Sequence, residues 1–166
     1  MPLTHTTWSF TANGEALILR RDPPGRMGAP GSMAREADAM RACRAAGLRA
    51  PEVVVVDDGG HFGTAGLVMR RVGGETIPRR ILRDDRYAQA RNRLVGDLAA
   101  FLAGLHRLDP ATVPGAGPDD LMARVRELSE RVAADRPVFA KAEAWLLEHR
   151  PPAVAPVLVH GDFRLG

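Results

Sequence analysis

The chain has 166 residues, 23 Lys+Arg against 20 Asp+Glu, and a net charge of only +3. That length suits one domain or two small lobes, and a 45% hydrophobic, 26% charged composition is that of a globular protein and not a disordered one. The pI of 9.9 reflects a small surplus of arginine; Lys141 is the only lysine, and no basic run is long or interleaved with aromatics, which argues against nucleic-acid binding. A single cysteine, Cys43, excludes an internal disulfide and a multi-cysteine metal site. No apolar run is long enough to span a bilayer and no signal pattern opens the chain, so a cytoplasmic setting without membrane contact is expected.

In chain order, the β-rich stretch Thr6 to Thr11 is followed by Asn13-Gly14, a strong hairpin signal, and by a return strand over Ala16 to Arg20. A Pro/Gly loop covers Asp22 to Gly31. Ser32 then reads as an N-cap, with a helix over Ala34 to Ala46 closed by Gly47. Val53 to Val56 is a β-branched strand ended by Asp57-Asp58-Gly59-Gly60, and Gly66 to Val72 is a further strand. Beyond Gly73-Gly74 the pattern turns helical. Leu94, Val95, Leu98, Phe101, Leu102 and Leu105 fall at helical spacing within Asp85 to Leu108, with Pro110 as the stop. A second helix is expected from Asp119 or Asp120 to about Asp135, with Leu121, Val125, Leu128 and Val132 on one face. A third opens at Pro137, with Phe139, Trp145, Leu146 and Leu147 toward the core. Pro156 to Val159 reads as a short apolar strand. No internal repeat is visible, and the boundary between the β-rich and helical parts falls near Val72 to Glu75.

The chemistry-bearing segment is His160-Gly161-Asp162 after that apolar stretch. Gly161 permits a tight turn, so His160 and Asp162 can be aimed separately. An aspartate there can accept a proton from a substrate hydroxyl, which suits phosphoryl transfer, where the protein chiefly positions groups and stabilises charge. Read alone, His-x-Asp fits a structural turn equally well. A metal-dependent hydrolase using His160 and Asp162 needs further ligands, and His61, His106 and His149 form no H-x-x-x-H or H-E-x-x-H pattern. No metal ligands are assigned.

Taken together, the segments resemble the aminoglycoside phosphotransferase-like kinases, a branch of the protein-kinase fold. The nearest likeness is to bacterial phosphotransferases similar to the kinase-like domain of acyl-CoA dehydrogenase family proteins. V-L-V-H-G-D-F-R-L-G is similar to the catalytic loop and L-I-L-R-R-D-P-P-G to the family's third strand. A-R-E-A-D-A-M-R-A-C-R-A-A-G is similar to the helix bearing the ion-pair glutamate, G-L-V-M-R-R-V-G-G-E to the hinge, and L-A-A-F-L-A-G-L-H-R-L-D-P to the helix under it. The order matches along nearly the whole chain.

The resemblance implies an α+β, protein-kinase-like two-lobe fold: an antiparallel small lobe over 1–72 and a partial helical large lobe over 73–166. It implies an ATP-dependent transfer of phosphate to the hydroxyl of a small molecule. Asp162 would be the catalytic base, His160 the loop-shaping histidine, and Arg164 a contact to a substrate anion or the transferred phosphate. Arg20 stands where the family usually has a phosphate-binding lysine, with Glu36 as its partner. The planar guanidinium can still bridge phosphate and carboxylate. Met69, Arg70, Arg71 and Val72 would form the adenine-binding hinge, and Thr4 would stand in for a serine of the phosphate-covering turn, whose glycines are missing. ATP and Mg²⁺ are the implied cofactors. The family's Mg²⁺-binding Asn and later Asp have no counterpart up to Gly166, so truncation at both ends is expected, along with inactivity of this chain alone and self-association through uncovered apolar helix faces. The alternative is a non-catalytic kinase-like module that binds nucleotide or protein. The acceptor is not readable. The helices are poor in acid, which disfavours cationic aminoglycosides, and the family likeness points to a hydroxyacyl or other metabolic alcohol.

Overall fold

A computed structural model describes residues 6–23, 32–116, 121–132 and 137–165. The element order is β1 (Thr6–Ala12), β2 (Glu15–Arg21), α1 (Ser32–Ala45), β3 (Val53–Asp57), β4 (Gly66–Arg70), α2 (Pro78–Arg83), α3 (Ala88–His106), α4 (Leu121–Val132) and α5 (Pro137–Glu148), with 3₁₀ turns at Asp85–Tyr87 and Pro110–Thr112. Two compact units form: Met1–Ala116 with Val157–Gly166, and Gly117–Pro156.

The first unit is built on an antiparallel sheet of order β1-β2-β4-β3. Asn13 (φ 51°) and Gly14 (φ 79°) both take the left-handed conformation that a two-residue hairpin of this twist needs. In β2, strand alternation sends Ile18 and Arg20 to one face and Leu17, Leu19 and Arg21 to the other. Helix α1 covers the Arg20 face. Its Met33 and Ala37 pack with Leu67 of β4, flanked by Met40, Val53, Val56 and Ala65.

Helix α1 ends as its sequence dictates. Gly47 adopts φ 75°, its N–H bonds the Arg44 carbonyl at 2.9 Å, and the Leu48 N–H bonds the Cys43 carbonyl at 2.9 Å. This pairing satisfies two carbonyls that the helix end would leave orphaned. The turn delivers Leu48 onto α3, where a Cβ at Gly104 would stand only 2.5 Å from a Leu48 methyl. Gly104 is therefore a contact surface for the loop after α1.

Several expectations need correction. Ser32 is the first residue of α1 itself, and the position before it lies outside the described residues. The β4 strand stops at Arg70 rather than Val72, because the chain leaves the ladder after the Arg71 N–H bonds the Ala16 carbonyl at 2.9 Å. The helix expected over Asp85 to Leu108 is present but shorter, with Asp85–Tyr87 as a 3₁₀ turn before it, and an unexpected short helix α2 precedes it across a break at Asp84. Asp84 is extended (φ −75°, ψ 134°), and α3 begins only at Ala88. The Arg91 guanidinium holds this break, donating to the Ile81 and Asp84 carbonyls at 3.1 and 2.7 Å. Leu94, Leu98, Phe101 and Leu102 are half-buried and Leu105 buried, but Val95 falls outside the stripe and is exposed.

Residues 151–160 form no strand, since no neighbouring strand among the described residues takes their backbone hydrogen bonds, and Val157 and Val159 are exposed. In the second unit α4 and α5 lie side by side, joined by Arg126 Nε to Glu143 Oε1 at 3.3 Å. Phe139, Trp145, Leu146 and Leu147, expected in a core, are exposed, because a pair of helices covers only one stripe of each. Val125 is half-buried. Asp119, Asp120 and Asp135, and the side chains of Leu121, Leu128 and Val132, lie outside the described residues.

Candidate active site

Arg20 and Glu36 meet across the sheet–helix interface in a salt bridge. Register explains it: Arg20 pairs with Leu67, the innermost residue of β4, so its side chain must run along the face that α1 covers. Both side chains stay between a quarter and a third exposed, so the guanidinium is held by a carboxylate yet reachable from solvent. Such a cation can meet an anionic ligand with part of its fork already oriented.

The expected hinge is the end of β4 and the two residues after it. Met69 is buried and Val72 is 68% exposed. The Arg70 N–H bonds the Glu52 carbonyl at 2.8 Å and the Arg71 N–H bonds the Ala16 carbonyl at 2.9 Å. These two donors are committed within the chain, which leaves backbone from Val72 onward as the part outside the ladder. The Arg70 side chain bridges Glu15 and Glu52 (Nε–Oε2 3.2 Å), and these carboxylates, Glu15 first, push its guanidinium further toward the charged form. The Arg71 guanidinium donates to Ser9 Oγ at 3.2 Å.

Sequence reading missed Glu75, immediately after the glycine pair. Its carboxylate is nearly buried and accepts from the Thr76 and Ile77 N–H groups, both at 3.0 Å, and from Arg80 at 3.3 Å. The Ile77 N–H above all holds its pKa below the usual value. Glu75 thus anchors the start of α2 directly behind Gly73-Gly74, and Gly-Gly-Glu before Pro78 is the signal for it. Asp57 was also read only as a turn residue. It is buried and accepts from the N–H groups of Gly59, His61 and Phe62 and from the His61 ring. The Phe62 N–H leads in lowering its pKa to about 2, with burial opposing.

His160, Asp162 and Arg164 are brought together in one turn, with Gly161 at φ 80°. The Asp162 N–H points to His160 Nδ1 at 3.4 Å, and Arg164 Nε lies 3.3 Å from Asp162 Oδ2. Both members of that ion pair are more than 70% exposed. The turn is fixed by Phe163, whose ring stacks on Phe101 of α3 at 5.7 Å and meets the His160 ring edge-on at 5.3 Å. Phe101 is thus the link between the α3 stripe and the loop. Thr4 lies outside the described residues. Among the described residues no cluster of three or more His, Cys, Asp or Glu could hold a metal ion.

An antiparallel sheet with one helix on its inner face, an arginine–glutamate pair between them and a helical part after a glycine pair is a protein-kinase-like α+β fold. The chain belongs to the phosphotransferase enzyme family, whose model matches residues 3–166. Among solved structures it is similar to a protein of Ralstonia eutropha JMP134 provisionally classed as an aminoglycoside phosphotransferase, at 18% identity and a TM-score of 0.62. That likeness covers 89% of this chain and 45% of the other, so the chain spans about half the length of that relative. No curated protein matches.

Proposed function

We propose that these 166 residues carry the nucleotide-binding part of a small-molecule kinase that moves phosphate from ATP to a hydroxyl acceptor. The division at 72/73 is then a functional one, between a nucleotide lobe and a partial helical lobe. The observation that carries this reading is the Arg20–Glu36 salt bridge between β2 and α1. Arg20 would meet the nucleotide phosphates, and Glu36 would hold its fork in place. The backbone from Met69 to Val72 would receive adenine, chiefly through the groups beyond Arg71.

The described residues do not fit Mg²⁺ by themselves, since they hold no suitable ligand cluster. Asp162 would accept the proton of the acceptor hydroxyl, with His160 shaping the turn and Arg164 steering the anion. A favoured acceptor is an uncharged or anionic metabolic alcohol, in keeping with the arginine at the loop. A second reading, nucleotide binding without transfer, draws support from the Asp162–Arg164 ion pair, which engages one oxygen of the carboxylate. We expect the 166-residue chain to bind ATP and not to turn it over.

A γ-phosphate transfer assay run beside an ATP titration tests both readings. Binding without turnover, unchanged by Asp162→Ala and weakened by Arg20→Ala, is the expected result. Turnover abolished by Asp162→Ala would show that the chain is catalytic as it stands. Absence of binding would sink both readings.

A further inference from the structure

Helix α1 carries Glu36 and so sets where the carboxylate opposite Arg20 stands. Its sheet side holds Met33 and Ala37, which pack with Leu67. Arg35 lies two positions from each, so at about 3.6 residues per turn it falls on the opposite side of the helix. That side is also engaged. Gly115, at φ 74°, comes so close to the Arg35 stem that a Cβ there would stand 2.7 Å from Cγ and 2.8 Å from Cδ. Arg35 as a whole is exposed, so its methylenes and not its charge make this contact. The segment that brings Gly115 there is tied to itself. Asp109 accepts the Ala111 N–H at 2.9 Å, the Val113 N–H bonds the Pro110 carbonyl at 3.1 Å, and the Ala116 N–H bonds the Val113 carbonyl at 3.0 Å. Val113 itself is buried. Just past the other end of α1, Leu48 rests on Gly104 of α3.

We propose that Gly115 and Gly104 are positioning residues: the segment from the end of α3 to Ala116 clamps α1 at both ends and so fixes the Glu36 carboxylate against Arg20. This role presupposes that the pair meets the nucleotide phosphates, as proposed above. A clamp at one end alone would let α1 pivot about the other. Glu36 is the residue next to Arg35, so a displacement at the Gly115 contact carries directly to the carboxylate. Glycine suits both points because a side chain at either would enter space that Arg35 or Leu48 already fills. At Gly115 the positive φ favours glycine as well.

Two readouts separate the clamp from the nucleotide reading. The first needs no ligand. Gly115→Ala should raise amide exchange over Ala37 to Met40, whose N–H groups bond the carbonyls of the preceding turn, at least about fivefold, with β2 and β4 unchanged. Arg35→Ala removes the stem without adding bulk and should raise it in the same way. The second readout is an ATP titration, in which Gly115→Ala should bind at least about fivefold more weakly than the parent. Gly115→Ala combined with Arg35→Ala should bind better than Gly115→Ala alone, although the strain of a left-handed alanine is the same in both. In a Glu36→Ala background Gly115→Ala should cost no further affinity, since the glycine acts through the glutamate. Unchanged exchange in both Gly115→Ala and Arg35→Ala overturns the clamp. Faster exchange with parent-like ATP affinity overturns the positioning role, and so does an undiminished loss in the Glu36→Ala background. If the parent itself fails to bind ATP, the nucleotide reading falls and the positioning role with it, while exchange still decides the clamp.

Discussion

Gly66 shows how one residue type decides a local structure. A Cβ there would lie 2.7 Å from a Phe62 ring carbon and 3.3 Å from the Arg20 carbonyl oxygen. The ring can give way, but the backbone of β2 cannot without shifting Arg20. Gly66→Ala should therefore destabilise by roughly 1–3 kcal/mol, read as a lower urea midpoint. Asp57 acts through charge. Its folded-state pKa of about 2 lies below the ordinary aspartate value of about 3.9. The folded state binds that proton less readily than the unfolded chain does. Its contribution is present above about pH 4 and is lost as pH falls through about 2. Asp57→Asn should be less stable than the parent at neutral pH, with the gap narrowing as the pH is lowered toward 2. A gap that stays constant would show that the carboxylate charge is not what holds the turn.

Among the elements, those written in local chemistry were legible. Asn13-Gly14 announced the hairpin, Gly47 the end of α1, and the Val53 to Val56 run a strand. Gly47→Ala should cost about 1–2 kcal/mol, because its φ of 75° is unfavourable for alanine; thermal denaturation would show it. What depends on distant partners was not legible. The break before α3 is held by Arg91 reaching back to two carbonyls, a contact that periodicity does not encode. Arg91→Ala should loosen α2 and raise amide exchange in Pro78–Arg83, while exchange in β4 stays unchanged. The apolar run before His160 has strand composition, but composition supplies no partner for its hydrogen bonds. The pairing of Arg20 with Glu36 was expected from the order of segments along the chain, and the salt bridge between them is present. Glu75 was hidden because a carboxylate that accepts backbone N–H groups looks, in sequence, like any acidic residue in a loop.

At the scale of the whole chain, burial is concentrated in the first unit. Leu67, Val68 and Met69 of β4 are buried, as are Met33 and Ala37 of α1, whereas α5 presents Trp145 and Leu147 to solvent. Amide exchange should therefore be slowest in β2 and β4 and fastest in Leu121–Val132 and Pro137–Glu148. No helix among the described residues is long and apolar enough to cross a membrane. The Arg20–Glu36 pair and the His160–Arg164 turn both belong to the first unit, where the proposed chemistry would lie.

The most direct measurement is a calorimetric titration of the chain with ATP, repeated for Arg20→Ala, Glu36→Ala and the double variant. If the pair reads the nucleotide phosphates, Arg20→Ala weakens binding at least tenfold. Glu36→Ala weakens it less, and the double variant is no worse than Arg20→Ala alone, because the glutamate acts through the arginine. Equal binding by the parent and Arg20→Ala, with both folded, would contradict the account.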